Sequence, residues 1–77
     1  MKLENGMFVI CPKGDVASYL TNGKKYEVCN VQNYRHGGCS FNIKDDDGDE
    51  LFCIISETFG CAYLNHKHWI IDNPEKP

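Results

Sequence analysis

The sequence has no apolar run approaching the roughly 20 residues that a bilayer-spanning helix needs. Its first residues include an acid and a glycine, Glu4 and Gly6, where a secretory signal carries its apolar segment. Basic residues are also few, because 8 lysines and arginines face 11 acidic residues and the formal net charge is -3. Lys24 and Lys25 are the only adjacent basic pair, so no basic stripe exists to bind a run of phosphates. We therefore expect a cytoplasmic protein for which nucleic acid is a poor candidate partner.

Cysteine is plentiful, but the sequence has no Cys-x-x-Cys pair, the spacing typical of redox motifs and of most structural zinc sites. The five cysteines are an odd number, and without an export signal the chain is expected where thiols stay reduced. Cys11, Cys29 and Cys53 lie within apolar runs, where a free cysteine behaves as a small hydrophobic residue. We interpret all five as reduced thiols and these three as core residues.

No helix longer than two turns fits the hydrophobic periodicity, whereas short strand patterns recur along the chain. They occupy residues 7–11, 25–31, 40–44, 51–55 and 67–71. In the third pattern Phe41 and Ile43 alternate with Ser40, Asn42 and Lys44. This alternation predicts that the two apolar residues face the core and that the three polar residues face solvent. The fourth is apolar at every position, which predicts a central strand covered on both faces. The turn signature Asp47-Gly48 predicts a tight antiparallel hairpin between these two strands.

These strands predict one mostly β domain over residues 1–72 and a solvated tail at residues 73–77. Residues 12–24 form a long loop in which a helical turn fits residues 15–20, and residues 56–65 include a short helical turn. This spacing matches a small five-stranded Src-homology-3-like barrel, which closes its sheet and leaves few exposed edges. An open five-stranded sheet is the alternative. Trp69 and Phe59 are predicted to lie in the core.

Four motifs between Leu20 and Ile71 carry a resemblance: LTNGKKYEV, FNIKDDDGDE, a cysteine in the next strand, and a late HWII. In these motifs the chain resembles small proteins of bacteriophages and prophages. Such proteins commonly have a Src-homology-3-like fold, and several of similar size bind and disable a host enzyme or defence factor. The resemblance therefore implies a non-enzymatic module that binds a host protein and modulates or inhibits it. The acidic-aromatic motif and the tryptophan pair of polyproline-binding domains are missing, so polyproline recognition is not expected.

Aromatic residues in the loops predict where such a partner binds. Tyr19 lies in the loop at residues 12–24 and Tyr34 in the loop at residues 33–38, and neither is needed by a strand pattern. Tyrosine is enriched at protein interfaces because it combines apolar area with a polar group. We therefore predict a partner-binding site that consists of Tyr19, Tyr34, Arg35 and His36, with the two tyrosines close together.

The acidic hairpin offers an alternative docking patch or a weak divalent-cation site. Its carboxylates are Asp45, Asp46, Asp47, Asp49 and Glu50. A calcium loop that begins at Asp45 would need glycine at its sixth position and glutamate at its twelfth, where this chain has Glu50 and Ser56. The spacing is more typical of a solvated hairpin tip.

Two further alternatives remain open. His36, Cys39, Cys61 and His66 could supply two pairs of zinc ligands, which would make this a zinc-stabilised domain. A small barrel can also bind nucleic acid on its surface, although the charge disfavours it here. For catalysis, no motif fixes a nucleophile beside a base, and 77 residues leave little room for a substrate cleft. We therefore expect no enzymatic activity and no cofactor.

Overall fold

The computed structural model describes residues 3–35, 37–56 and 60–72 of the chain. These residues form six strands and one turn of 3-10 helix. The strands are β1 (Phe8–Ile10), β2 (Lys25–Glu27), β3 (Cys29–Asn33), β4 (Cys39–Lys44), β5 (Glu50–Ile55) and β6 (Ile70–Asp72), and the 3-10 turn spans Ala62–Leu64. The predicted mostly β class is confirmed, and the short helical turn lies within the connection where it was expected.

Sheet A contains β2, β1 and β6 in that order, with β1 antiparallel to both neighbours. Val9 in the central strand lies opposite Tyr26 on one side and Ile71 on the other. Val9 and Tyr26 are buried and Ile71 is half-buried, so one face of the sheet is directed at the core. Successive side chains of a strand point to opposite faces of the sheet, which explains why alternate residues are directed at the core.

Sheet B contains β3, β4 and β5 in that order, and both pairs are antiparallel. Phe41 of β4 lies opposite Cys53 of β5, and both side chains are buried. The predicted Asp-Gly hairpin between these strands is confirmed. Gly48 has a φ of 86°, a left-handed conformation that glycine adopts without steric cost.

The inner faces of both sheets contribute to one hydrophobic cluster, which also includes residues from the connecting segments. Trp69 contacts both sheets edge-on, with its ring centroid 5.8 Å from that of Tyr26 and 6.4 Å from that of Phe41. The buried members are Leu3, Val9, Cys11, Leu20, Tyr26, Val28, Cys39, Phe41, Ile43, Cys53, Cys61, Leu64 and Trp69. The core positions predicted for Phe41, Ile43 and Trp69 are confirmed, whereas Phe59 lies outside the described residues.

The number of strands and the closed barrel are corrected by the structure. The predicted strand at residues 25–31 is divided, because the chain passes from sheet A to sheet B at Val28. Just beyond it, Asn30 has a φ of 51° and the pairing of β3 with β4 shifts register between Cys29 and Gln32. Among the described residues no ladder joins β5 to β6, so the structure has two three-stranded sheets and not a closed five-stranded barrel.

β5 is also corrected, because it is not a central strand covered on both faces. In the described part of the chain only β4 pairs with it, so β5 is an edge strand. Cys53 points inward and is buried, but Phe52 and Ile54 point outward and are exposed. A continuous apolar run cannot distinguish these two arrangements, since the difference depends on which segments pack beside the strand.

Two smaller expectations, for Cys29 and Ser40, are wrong for different reasons. Cys29 was expected in the core, but it begins β3 on the outer face of sheet B and is exposed. Ser40 was expected in solvent as an outward residue of its strand, but it is buried, because the hydroxyl of Tyr34 lies over it. The exposure of Cys29 follows the alternation with the buried Tyr26 and Val28, whereas the burial of Ser40 depends on a neighbouring segment.

The long loop at residues 12–24 is held in place by hydrogen bonds and contains no helix. Within residues 15–20 it has one turn, in which the amide of Leu20 donates to the carbonyl of Ala17 over 3.0 Å. The side-chain amide of Asn22 donates to the carbonyl of Pro12 over 3.1 Å and to that of Gly14 over 3.2 Å. The amide of Ala17 donates to the carbonyl of Tyr63, 2.8 Å away, which joins the loop to the 3-10 turn. The predicted tail at residues 73–77 lies outside the described residues. Within the ranges that are described, no helix is long and apolar enough to cross a membrane.

Candidate functional site

The outer face of sheet B carries an exposed cluster of large apolar side chains. In the hairpin register, Phe52 lies opposite Asn42 and Ile54 lies opposite Ser40. Directly opposite residues in an antiparallel pair share one face of the sheet, so all four side chains are on the face away from the core. Phe52 is 57% exposed and Ile54 is 45% exposed. Together with Tyr34 these two residues form what we call the apolar face of sheet B.

Tyr34 is held over this face by its hydroxyl group. Its hydroxyl is 2.8 Å from that of Ser40, the residue directly opposite Ile54. The residue as a whole is 46% exposed. The Tyr34 ring therefore extends the apolar surface of β5 across the beginning of β4. Its hydroxyl is hydrogen-bonded to the buried Ser40.

The loop between β3 and β4 fixes the position of the Tyr34 backbone. The amide of Tyr34 donates to the carbonyl of Gly38 over 3.1 Å, and the amide of Gly37 donates back to the carbonyl of Tyr34 over 3.2 Å. Gly38 has a φ of 83°, and a Cβ there would lie 2.6 Å from the carbonyl oxygen of Ile55. Glycine is therefore required for this loop to pack against the end of β5.

The two outer edges of sheet B differ in their protection. β3 is covered by the amino-terminal segment, because the amide of Val31 donates to Asn5 Oδ1 over 3.0 Å and Asn33 Nδ2 donates to the carbonyl of Leu3 over 3.0 Å. No described residue forms a ladder with the outer edge of β5. Glu50 is the only charged residue in β5, and the strand contains no proline or lysine. It therefore lacks the lysine and proline residues that commonly block strand addition at an edge.

Sheet A also exposes apolar side chains, but its outer face is mixed in character. Phe8 and Ile70 are exposed there. An ion pair crosses the same face, with Lys25 Nζ 3.0 Å from Asp72 Oδ2. In the register, Lys25 lies opposite Ile10 and Asp72 opposite Phe8, so charged groups flank the apolar ones. Phe8 and Ile70 are thus exposed apolar residues outside the apolar face of sheet B, and substituting them provides a control for substitutions on that face.

The structure does not bring the predicted tyrosines Tyr19 and Tyr34 together. Tyr34 lies beside the beginning of β4, whereas the carbonyl of Tyr19 accepts a hydrogen bond from the amide of Asp46, just after the end of β4. Tyr19 is half-buried against the core, and its ring centroid is 6.1 Å from that of Tyr63. Arg35 is exposed next to Tyr34, and His36 lies outside the described residues. Of the predicted site, only Tyr34 and Arg35 therefore lie together near the beginning of β4.

Three of the five carboxylates in the acidic hairpin accept hydrogen bonds within the fold, and that of Glu50 accepts one from Asn42 Nδ2. Asp45 is buried, and its Oδ1 accepts the amides of Asp47 and Asp49, each over 2.9 Å. Asp46 binds the side chain of Lys24 and two hydroxyl groups of the neighbouring loop and strand. Asp47, Asp49 and Glu50 are exposed. An acidic docking patch would have to be formed by these three.

The proposed zinc ligands are not assembled in the described part of the chain. Cys39 and Cys61 are buried, whereas His66 is exposed. No group of three or more His, Cys, Asp or Glu side chains that could hold a metal is found among the described residues. The fourth proposed ligand, His36, lies outside them.

The adjacent basic pair is largely neutralised, which bears on the nucleic-acid alternative. Lys24 Nζ is 2.6 Å from Asp46 Oδ1, and Lys25 is paired with Asp72. Lys44 lines the same groove as these two lysines, together with the exposed Cys29. Two of the three cations in this groove are thus already bound by carboxylates, which weakens attraction for a phosphate chain.

Sequence reasoning missed Phe52 and Ile54, although the signal was present. Asn42 was predicted to face solvent, and a tight hairpin with the observed register places Phe52 on the face of Asn42. No protein-family model, no curated protein and no solved structure matches this chain. The functional assignment therefore depends on the geometry of the exposed face.

Proposed function

We propose that the chain is a non-enzymatic protein-binding module whose partner adds an extended segment to the edge of β5 and covers the apolar face of sheet B. The observation that carries the proposal is the exposure of Phe52 and Ile54 on the outer face of an edge strand. A domain of this size needs its large apolar residues in the core, so leaving two of them in solvent side by side has a cost in free energy. A partner bound to this face covers the two side chains and offsets that cost.

The edge of β5 supports an extended partner segment and not a helix. An edge strand presents backbone N–H and C=O groups that pair with another strand, and such pairing is a recurring mode of peptide recognition. Affinity then comes from the backbone hydrogen bonds, and specificity comes from side chains at alternate positions of the added strand. The long, apolar and nearly uncharged β5 suits this mode.

The side chains of the face indicate what the partner presents. Phe52 and Ile54 lie two residues apart and point in the same direction, which matches apolar residues at alternate positions of a paired strand. The rim is polar, because Asn42 Nδ2 donates to the carboxylate of the exposed Glu50, and Arg35 is exposed beside Tyr34. An apolar centre with a polar rim is the usual composition of a protein interface.

The resemblance of the segment from Leu20 to Ile71 to small phage and prophage proteins supports a host protein as the partner. On this proposal, binding modulates or inhibits the host protein, and no bond is made or broken by the chain. Of the acidic hairpin, only Glu50 belongs to the rim of the proposed surface, since Asp45 and Asp46 are engaged within the fold.

The test compares capture by two double variants of the immobilised full chain. Phe52→Ser with Ile54→Ser removes the apolar face, and Phe8→Ser with Ile70→Ser makes the same chemical change on the outer face of sheet A. Each is incubated with an extract of the cells in which the chain acts, and captured proteins are quantified by mass spectrometry. We expect one partner to be captured by the wild type and the sheet A variant, and capture to fall at least about tenfold with the sheet B variant, which corresponds to about 1.4 kcal/mol.

Circular dichroism melting shows that both variants are folded before capture is compared. Equal capture by both variants would contradict the proposed surface, as would a loss confined to the sheet A variant. A wild-type chain that elutes as a dimer, which the sheet B variant disrupts, would show that the face binds a second copy and not a host protein.

A further inference from the structure

Two half-buried tyrosines lie side by side where the loop at residues 12–24 meets the 3-10 turn. The ring centroids of Tyr19 and Tyr63 are 6.1 Å apart, and the ring planes are inclined at 68°. Both residues line a cavity of about 250 Å³ that is open to solvent, which we call the Tyr19–Tyr63 cavity. Because the rings meet at a steep angle and do not stack, they form two walls of a corner and not one flat surface.

Backbone hydrogen bonds hold the walls of this cavity in place. The amide of Ala17 donates to the carbonyl of Tyr63 over 2.8 Å, so the loop and the 3-10 turn are fixed to each other. The carbonyl of Tyr19 accepts the amide of Asp46 over 2.9 Å, which fixes the second ring at the end of β4. Val16 and Ala17 add apolar atoms to the lining. The cavity is therefore formed by the fold itself, before any ligand is present.

The Tyr19–Tyr63 cavity also carries a carboxylate. Asp15 is the only charged residue among the described residues that line it, and Asp15 is exposed. Neither of the ion pairs found in the described part of the chain includes this carboxylate. The backbone carbonyl of Asp15 accepts a hydrogen bond from Lys67 Nζ over 3.1 Å, but Lys67 does not line the cavity. The lining thus combines two aromatic rings, apolar atoms and one negative charge.

This combination suits a cation that also has apolar surface. The face of an aromatic ring is negative and attracts a cation that lies within about 6 Å of the ring centroid. A nearby carboxylate adds a charge attraction that needs no hydrogen bond. A primary ammonium is strongly hydrated, so it gives up hydrogen bonds to water when it is placed against ring faces. A quaternary ammonium presents methyl groups and has no N–H group to leave unpaired, so it loses least on entering the cavity.

We propose that the Tyr19–Tyr63 cavity binds the quaternary ammonium group of a small molecule such as choline. The methyl groups pack against the two rings, and the positive charge lies near the carboxylate of Asp15. The size of the cavity favours a small ligand, because about 250 Å³ is less than the roughly 300–1,000 Å³ of pockets that enclose drug-sized molecules. The site is separate from the apolar face of sheet B, since Tyr19 adjoins the end of β4 and Tyr34 its beginning.

The test is a titration of the isotopically labelled full chain with choline, followed by nuclear magnetic resonance. The backbone amide signals of Ala17 and Tyr63 should shift and reach saturation, and tetramethylammonium should shift the same signals because it presents the same group. The neutral isostere of choline, in which a carbon atom replaces the charged nitrogen, has the same shape without the charge. We expect it to bind about fivefold more weakly. Equal binding of choline and the isostere, or no saturable shift at these amides, would overturn the proposal.

Substitutions separate the contributions of the ring and of the charge. Tyr63→Leu keeps apolar bulk but removes a ring, and should weaken choline binding about fivefold, whereas Tyr63→Phe keeps the ring face and should bind as the wild type does. Asp15→Asn alters an exposed side chain, so the fold is retained. It should weaken binding of choline but not of the neutral isostere. Unchanged choline binding by Asp15→Asn and Tyr63→Leu would contradict the site.

Matched controls lie outside the cavity. Phe8→Leu removes an exposed aromatic ring from sheet A, and Asp47→Asn removes an exposed carboxylate from the hairpin. Both should bind choline as the wild type does, and a loss of affinity equal to that of the cavity variants would contradict the assignment. A peptide containing trimethyllysine that shifts the same amides and binds at least about tenfold more tightly than choline would show that the ligand is a protein and not a small molecule.

Discussion

The hydroxyl of Tyr26 donates a hydrogen bond to Oδ1 of Asp46 over 3.0 Å, which joins β2 of sheet A to the hairpin that ends sheet B. The same carboxylate is 2.6 Å from Lys24 Nζ and accepts the hydroxyl of Thr21 over 2.6 Å. These donors lower the pKa of Asp46 from 3.8 to about 2, with Lys24 as the largest cause and Thr21 next. An aspartate that was predicted to be a solvated hairpin tip thus connects the two sheets.

Asp46→Asn should lower the thermal midpoint at neutral pH and make stability less sensitive to acid. The folded pKa of Asp46 is below its ordinary value of 3.8, so its stabilisation is present above about pH 4 and is lost as the pH falls toward 2. Melting curves of wild type and variant, recorded by circular dichroism across this range, should therefore converge in acid. Asp47→Asn changes an exposed neighbour and should follow the wild type. Wild-type and Asp46→Asn curves that remain parallel would contradict this role.

Phe41→Ala should destabilise the chain by about 3 to 5 kcal/mol, because Phe41 is fully buried and contacts Trp69. Lys44→Ala, on the same strand but exposed, should change the free energy of unfolding by less than about 0.5 kcal/mol. Urea denaturation measures both. Similar losses at the two positions would show that the register of β4 is wrong.

Tyr19 and Tyr34 should differ in their effect on stability, because the structure gives them different environments. Tyr19→Ala removes a half-buried ring that packs against the core and Tyr63, and should cost about 1 to 3 kcal/mol. Tyr34→Ala removes an exposed ring and one hydrogen bond to Ser40, and should cost no more than about 1 kcal/mol. Urea denaturation of the two single variants gives the comparison. A larger loss at Tyr34 would mean that its ring is a structural element and not an exposed binding residue.

Much of the fold follows from local patterns. The alternation around Phe41 and Ile43 predicts their burial, and the Asp47-Gly48 signature predicts the hairpin, since both depend on neighbours within a few residues. The division of one strand at Val28 does not follow, because it depends on the chain passing from one sheet to the other. The open arrangement between β5 and β6 is likewise a long-range property.

The candidate sites were harder to predict than the fold. The exposure of Phe52 could have been derived by combining the hairpin register with the outward position of Asn42, whereas the run of apolar residues alone indicates burial. The prediction that Tyr19 and Tyr34 lie close together depends on the composition of their loops. Composition contains no information about which end of a strand each loop adjoins.

Photo-crosslinking at the apolar face of sheet B tests the central claim most directly. Benzoylphenylalanine replaces Phe52 in one variant of the full chain and Phe8 in another, and both are irradiated in the extract used for capture. The account predicts an adduct at position 52 with one other polypeptide, mapped to an extended segment with apolar residues at alternate positions, and no such adduct at position 8. The same adduct from both positions, an adduct with a second copy of this chain, or none at position 52 would contradict it.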